Sequence, residues 1–449
     1  MIATLKRIVR AQYAALLMAA ALGFMSQAAQ AVPAFARQTG LACVACHVSF
    51  PELTPFGRFF KLSGYTLTNN KTIPLAGMVQ FSQTNTRRIQ QDQYDFVRNG
   101  DVALQQASLF YGGRIAGPVG AFVQWTYDGI AHHSGIDNTD IRAAGQFTRG
   151  DIDFIYGMTL NNNPTVSDVW NSTPAFGYPY ASSSVSLTPM ASTLIDGGLA
   201  QQVAGVTAYA FWQRSIYAEF GLYRTADRMF SFLRTGQDTS SPGGVARLSG
   251  SNPYWRLAYN AEWGPHSLMV GTYGLIADKY PDNTIPISPT DRFTDYAFDT
   301  QYQYLTYTHS LTAQATWIHE KQSWDASFPS GGIGAGPTPT NPTDTLNTFK
   351  AKASYYFRRK YGGTLAYFQT TGSNDAGLYG AAPVTGSANG TPNSNGIILE
   401  ADYLPVPQVK LSVQYTWFLK FNGARYNYDG NGRNASDNNT LYLLAWIAF

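Results

Sequence analysis

Charge is scarce in this chain. Of 449 residues, 31 are Lys or Arg and 28 are Asp or Glu, so charged residues make up 13% and the formal net charge is +3. An ordinary soluble domain carries about 25%. The near balance of sign excludes a protein that grips nucleic acid through many phosphate contacts, which needs clustered cations. Cysteine is scarcer still, with two in the whole chain, three positions apart, so no disulfide framework can hold the fold. Low charge often marks a membrane helix bundle. Beyond the N-terminus, however, no apolar run approaches the ~20 residues that a spanning helix requires. Aromatic residues, by contrast, reach 14%, and 42 Gly with 23 Pro supply many turns. Few charges, many aromatics and no spanning helix point to a transmembrane β-barrel.

The first residues have the layout of a secretory signal peptide. Lys6, Arg7 and Arg10 precede an apolar stretch from Ala14 to Met25, and Ala29-Gln30-Ala31 places small residues before a cleavage point at Val32. Residues 1–31 are therefore predicted to be removed on export.

The two cysteines fall in Cys43-Val44-Ala45-Cys46-His47, a C-x-x-C-H run of the kind that attaches a c-type haem. Two thiols at this spacing can add to the two vinyl groups of one porphyrin. The adjacent imidazole then lies over the ring, where it can bind iron. A dithiol redox pair would leave His47 without a role and lacks its βαβ context. A structural zinc site needs two further thiol or imidazole ligands, and none lies between Val32 and Leu75. One haem c on Cys43 and Cys46, with His47 as axial ligand, is the expectation. The sixth ligand stays open: the next Met is Met78, and His132, His133, His266, His309 and His319 are expected at loops and turns.

From about residue 77 onward a period of two repeats. Trp255, Leu257, Tyr259, Ala261 and Trp263 alternate with Arg256, Ala258, Asn260 and Glu262; Val409, Leu411, Val413, Tyr415 and Trp417 alternate with Lys410, Ser412, Gln414 and Thr416. Such alternation means one apolar and one polar face, and segments of about ten residues suit a tilted strand crossing a bilayer. Sixteen antiparallel strands are predicted, at 77–87, 100–112, 119–128, 139–148, 151–160, 203–212, 215–225, 253–263, 267–277, 293–305, 309–320, 346–358, 362–371, 395–404, 408–420 and 439–449. Short turns alternate with long connections such as 161–202, 226–252, 321–345 and 372–394, the pattern of periplasmic turns and outer loops. The inward register carries Asp153, Glu219, Arg256, Glu262, Lys350, Lys352, Glu400 and Asp402. Outer-loop Asp92, Asp95, Asp278 and Asp282 are candidate cation attractors. The terminal strand sets Leu441, Leu443, Ala445, Ile447 and Phe449 on one face, as expected of a bacterial outer-membrane barrel.

Three segments follow: a signal peptide (1–31), a monohaem cytochrome segment (32–76) and a barrel (77–449). The middle segment is too small to wall in a porphyrin by itself. It is predicted to enter from the periplasmic side and plug the barrel mouth.

The run Pro33-Ala34-Phe35-Ala36-Arg37-Gln38-Thr39-Gly40, then Cys43 to His47, then Phe50-Pro51-Glu52-Leu53-Thr54-Pro55-Phe56-Gly57-Arg58-Phe59-Phe60-Lys61-Leu62-Ser63-Gly64-Tyr65 resembles the N-terminus of the fused monohaem cytochrome c–porins, outer-membrane Fe(II) oxidases of iron-oxidising bacteria. The resemblance implies covalent haem at Cys43 and Cys46 and iron ligation by His47. It also implies one-electron transfer from extracellular Fe²⁺ to a periplasmic carrier, such as a soluble cytochrome or copper protein. Two alternatives remain at this point: a haem-plugged diffusion porin, and a conduit for a donor other than iron.

Overall fold

A computed structural model describes residues 34–67, 74–88, 99–150, 152–235, 245–334 and 336–449. The predicted signal peptide, and Asp92 and Asp95, lie outside the described residues. Sixteen strands form one closed antiparallel barrel. After two short strands in the N-terminal segment, β1 (His47–Ser49) and β2 (Glu52–Leu53), the barrel strands are β3 Leu75–Thr86, β4 Val102–Ala116, β5 Val119–Asp128, β6 His133–Arg149, β7 Ile152–Asn161, β8 Val203–Trp212, β9 Ile216–Thr225 and β10 Asn252–Trp263. The second half runs β11 His266–Lys279, β12 Asp291–Leu305, β13 His309–Ser323, β14 Thr343–Phe357, β15 Tyr361–Gly372, β16 Ser394–Val406, β17 Val409–Lys420 and β18 Thr440–Ala448. Each predicted strand overlaps one of these.

Closure comes from β18 against β3, in a register running from Thr440 opposite Thr86 to Ala448 opposite Met78. This joins the last and first barrel strands and leaves no edge to face lipid. Among the described residues no helix is long and apolar enough to cross a membrane; the crossing is made by strands.

Alternation along each strand separates two environments. Outward-facing Leu109, Phe220, Leu257, Phe298, Leu365 and Val413 are exposed near mid-strand, while Trp212, Trp263, Tyr355, Tyr361 and Tyr403 are exposed close to the short-turn end. An apolar belt with an aromatic girdle is the surface of a lipid-embedded barrel. All eight predicted inward charges fall on the lumen register.

Two elements depart from the sequence expectations. β6 begins at His133 rather than near 139, because Ser134 to Ile136 still pair with β5 past an irregularity between Val123 and Trp125. Its polar composition hides the alternation there. The connection 162–202 does not stay outside as an outer loop: Asn162, Thr165, Ser167, Asp168, Leu199 and their neighbours are fully buried inside the barrel. Its polar side chains read like those of a solvated loop, yet a polar lumen satisfies them equally well.

Replacing Leu257, at mid-belt, with Arg is expected to lower stability by about 2–4 kcal/mol, read from urea unfolding out of lipid vesicles. A loss below about 0.5 kcal/mol, as at an ordinary wet surface, would mean this face does not meet hydrocarbon.

Candidate functional site

The C-x-x-C-H segment is built from short elements that brace one another. Helix α1 spans Ala34–Thr39, the single turn α2 spans Cys43–Cys46, and α3 spans Pro55–Leu62. Thr54 caps α3, accepting from Gly57 N at 3.2 Å, and Pro55 occupies the first turn, where its missing N–H costs nothing. The same Thr54 donates from Oγ1 to Ala45 O at 2.6 Å and from its backbone N to Cys46 O at 2.9 Å, tying α3 to the cysteine turn. A β-carbon at Gly57 would collide with the Cys46 carbonyl oxygen. Thus Thr54, Pro55 and Gly57 of the motif serve capping and clearance.

Barrel walls then hold this segment as a plug inside the lumen at the short-turn end. Arg58 donates to Gln301 Oε1 (3.0 Å), Gln303 Oε1 (2.7 Å), Ser267 Oγ (3.2 Å) and Glu262 Oε1 (3.3 Å). Lys61 Nζ donates to the carbonyls of Val166 (2.6 Å) and Asp168 (2.8 Å) on the infolded connection. Tyr65 Oη donates to Asp140 Oδ2 at 2.7 Å, and Tyr209 Oη donates to the Leu62 carbonyl at 2.6 Å. Thr312 donates to Glu52, Tyr356 Oη reaches Ser49 Oγ at 3.0 Å, and Arg359 donates to the Val44 carbonyl. Phe35 stacks on Tyr65 and meets Phe60 edge-on. The sequence expectations gave Glu52, Arg58, Lys61 and Tyr65 no role; a buried charge must find partners, so their presence in so small a segment was a signal for a surrounding wall.

His47 borders a cavity of about 400 Å³ between plug and barrel wall, within the range of small-molecule and cofactor sites. Phe35, Phe50, Phe110, Phe122, Phe176 and Trp446 supply apolar walls, and Gln80, Gln105, Gln106 and Gln124 supply polar groups. Cys43 borders a small recess that shares His47 and Phe50 with this cavity. Cys46 lines neither space. Burial pushes the His47 pKa down to about 4 against the opposing pull of the Pro51 and Glu52 carbonyls, so the imidazole is neutral, the form that binds metal. Its Nδ1 is buried without a hydrogen-bond partner. Burial also raises both thiols, Cys46 to about 11 with help from neighbouring Cys43, and the two are unlinked. The His47 imidazole on a mainly apolar cavity and the Cys43 thiol on the adjoining recess fit a covalently held porphyrin, while the Cys46 thiol borders neither space.

The inward charges do not gather into a second centre. Arg256 pairs with Asp168 (3.0 Å) and Asp299 (2.9 Å), Lys410 with Glu400 (2.9 Å) and Asp402 (3.3 Å), and Lys350 with Asp196 (2.6 Å). Among the described residues no group of three or more His, Cys, Asp or Glu could hold a metal ion. Asp278 lies in β11 rather than in an outer loop, because the strand pairing with β12 continues to Lys279, and it pairs with Arg292 at 2.8 Å; Asp282 is buried, accepting from Thr284. His266 and His309 do sit at turns, against Tyr302 and Tyr355. His319 lies within β13 rather than at a loop, bonded to Asn347 and packed on Tyr296 and Trp317. His133 opens β6 and contacts the Thr235 carbonyl. Of the six histidines only His47 borders the cavity. Sequence expectations also missed Trp170, which is buried against Arg256 and Tyr217 and bridges the lumen through its carbonyl to Gln301 and Gln314.

No protein-family model matches the chain, and no curated protein matches it. Among solved structures it is similar to the outer membrane channel DcaP of Acinetobacter baumannii, at 12% identity and TM-score 0.46, over 84% of this chain and 96% of that one. It is similar to an anion-selective porin from Comamonas acidovorans, at 13% identity and TM-score 0.46, over 84% and 98%. OmpT of Vibrio cholerae, an outer membrane protein, gives 10% identity and TM-score 0.42, over 84% and 96%. The barrel itself rests on the strand pairing above.

Lys61 offers a pH test of the plug's seat. Burial lowers its pKa to about 8, although Asp140 and Asp168 pull the other way. In the unfolded chain the amine stays protonated up to about 10.4, so between these values the unfolded state binds more protons and stability rises with pH. Denaturant midpoints of the wild type should therefore climb between about pH 8 and pH 10.4, and Lys61→Met should flatten that climb. An unchanged slope in the variant would assign it to another group.

Proposed function

We propose that this chain is an outer-membrane electron conduit, with one haem c bound covalently through Cys43 and Cys46 and ligated by His47. Attached there, the haem supplies a one-electron centre inside an insulating barrel. The donor is extracellular Fe²⁺, which gives up one electron and leaves as Fe³⁺. The acceptor is a soluble cytochrome or copper protein on the periplasmic side, the side of the short turns and of the plug.

One observation carries this reading: the C-x-x-C-H segment is latched inside the barrel with His47 on the wall of an apolar cavity. A 34-residue described segment could not bury a porphyrin without such walls. Arg58, Lys61 and Tyr65 hold the plug in place, and the neutral His47 is available as a ligand. Phe50 and Trp446, stacked at 6.4 Å between ring centres, form one apolar wall of the cavity.

The polar lumen lining favours a second reading, passive diffusion of a small solute. Against it stands the cross-section. Connection 162–202 touches the wall at Thr84, Arg142, Glu219, Asp299, Gln314, Glu320 and Gln414, and the plug occupies the space at the short-turn end.

The test uses full-length protein matured in a host that attaches c-type haem. Peroxidase staining on a denaturing gel should be positive, and Cys43→Ser/Cys46→Ser should abolish it. Rapid mixing of the oxidised protein with Fe²⁺ should shift the haem bands to the reduced form. Bands that stay oxidised overturn iron as donor. A colourless protein that passes solutes into liposomes overturns the conduit in favour of the porin.

A further inference from the structure

We propose that Met78, on the cavity that His47 also borders, is the second axial ligand of that haem; the inference rests on the conduit reading above. Met78 is the fourth residue of β3, the strand that closes the barrel against β18. From Met78 the even-numbered residues of this strand, Gln80, Ser82, Thr84 and Thr86, are all buried on the lumen side, and period two puts Met78 on that same face. It is 5% exposed and lines the same cavity as His47.

The other candidates are committed elsewhere or absent. None of the five remaining histidines borders the cavity. Tyr180 does, but its hydroxyl donates to Gln314 Oε1 at 3.1 Å and its ring carries Lys352 Nζ at 3.1 Å from the centroid. Asp137 also lines it, and its Oδ2 accepts from Thr126 at 3.0 Å and Gln106 at 3.5 Å. The Met78 sulfur has a single long polar contact, from Gln80 Nε2 at 3.9 Å, weak enough for a soft metal to replace. A thioether paired with an imidazole raises a haem's reduction potential, and a high potential is what accepting electrons from a poor reductant such as aqueous Fe²⁺ demands. A ligand on β3 would also fasten the plug to the barrel wall on the side opposite Arg58, whose partners lie on β10, β11 and β12.

The experiment compares haem-loaded wild type with Met78→Leu, which conserves volume, and Met78→His. Haem content is measured on each by peroxidase staining and by haem extraction assay. Expected are a weak far-red sulfur-to-iron charge-transfer band in the oxidised wild type, its loss in Met78→Leu at unchanged haem content, and a lower midpoint potential in that variant. Carbon monoxide should bind reduced Met78→Leu at least about tenfold faster than wild type, since no protein ligand must leave first. Met78→His should regain a six-coordinate spectrum without the sulfur band. Coloured Met78→Leu protein with wild-type spectrum, potential and carbon monoxide kinetics overturns the Met78 assignment alone. Colourless wild-type protein overturns the conduit and this ligand together.

Discussion

A strand edge has no hydrogen-bond partner in hydrocarbon, and the pairing of β18 with β3 removes the last one. Closure then dictates the rest. Every second residue of every strand is turned into one enclosed space, and because the outward residues must be apolar to meet lipid, polarity can only collect inside. That space has to be filled or wet. Here it is filled largely by the chain itself, and the filling is electrostatically matched to the wall. Arg256 of β10 lies between Asp168 of the infolded connection and Asp299 of β12, while Lys350 of β14 meets Asp196. Arg142 of β6 bonds both Asp140 and the Ser167 carbonyl. Removing one member of such a buried pair strands the other, at a cost of about 3–5 kcal/mol, so wall and filling specify each other.

The plug depends on the same enclosure. Phe35, Phe60 and Tyr65 pack on one another within it, while Leu62 joins the barrel, packing with Ile155, Trp170, Tyr209 and Tyr217. Its charges point outward from the segment and inward to the lumen's donors and acceptors. A plug so constructed has no stable seat away from the barrel, and its Arg58 donates to the side-chain oxygens of both Gln301 and Gln303.

Much of this was legible in the sequence because period two is a direct consequence of a lipid face and a lumen face. Strand count and the inward placement of Glu219, Arg256, Lys352 and Glu400 follow from alternation and turn length. What was not legible has a common cause. In a barrel, loop residues that fold inward meet a polar environment, so Asn162, Ser167 and Thr173 look no different from solvated residues. The same holds at Ser134 to Asn138 of β6, where polar residues fill both faces and no alternation marks the strand. Arg58 and Lys61 were visible as charges, but their partners lie more than a hundred positions away in the chain, beyond any local pattern. Met78 could be named from sequence only as the next methionine; its place on the cavity wall needed the register of β3.

The filled lumen separates the two classes of function by what each must carry. Solute diffusion needs a continuous wet path as wide as the solute, and selection would then keep the cross-section open. Electron passage needs no path for mass, only packed matter with low reorganisation around a redox centre and exclusion of water from its face. Trp170, Tyr209, Tyr217 and Arg256 are buried together between the infolded connection and the barrel wall, dense packing of the kind that the proposed conduit would need. The mainly apolar cavity beside His47 is the space that the proposed redox group would fill, and a second space of about 380 Å³ lies beside α3 against Trp170 and Phe211.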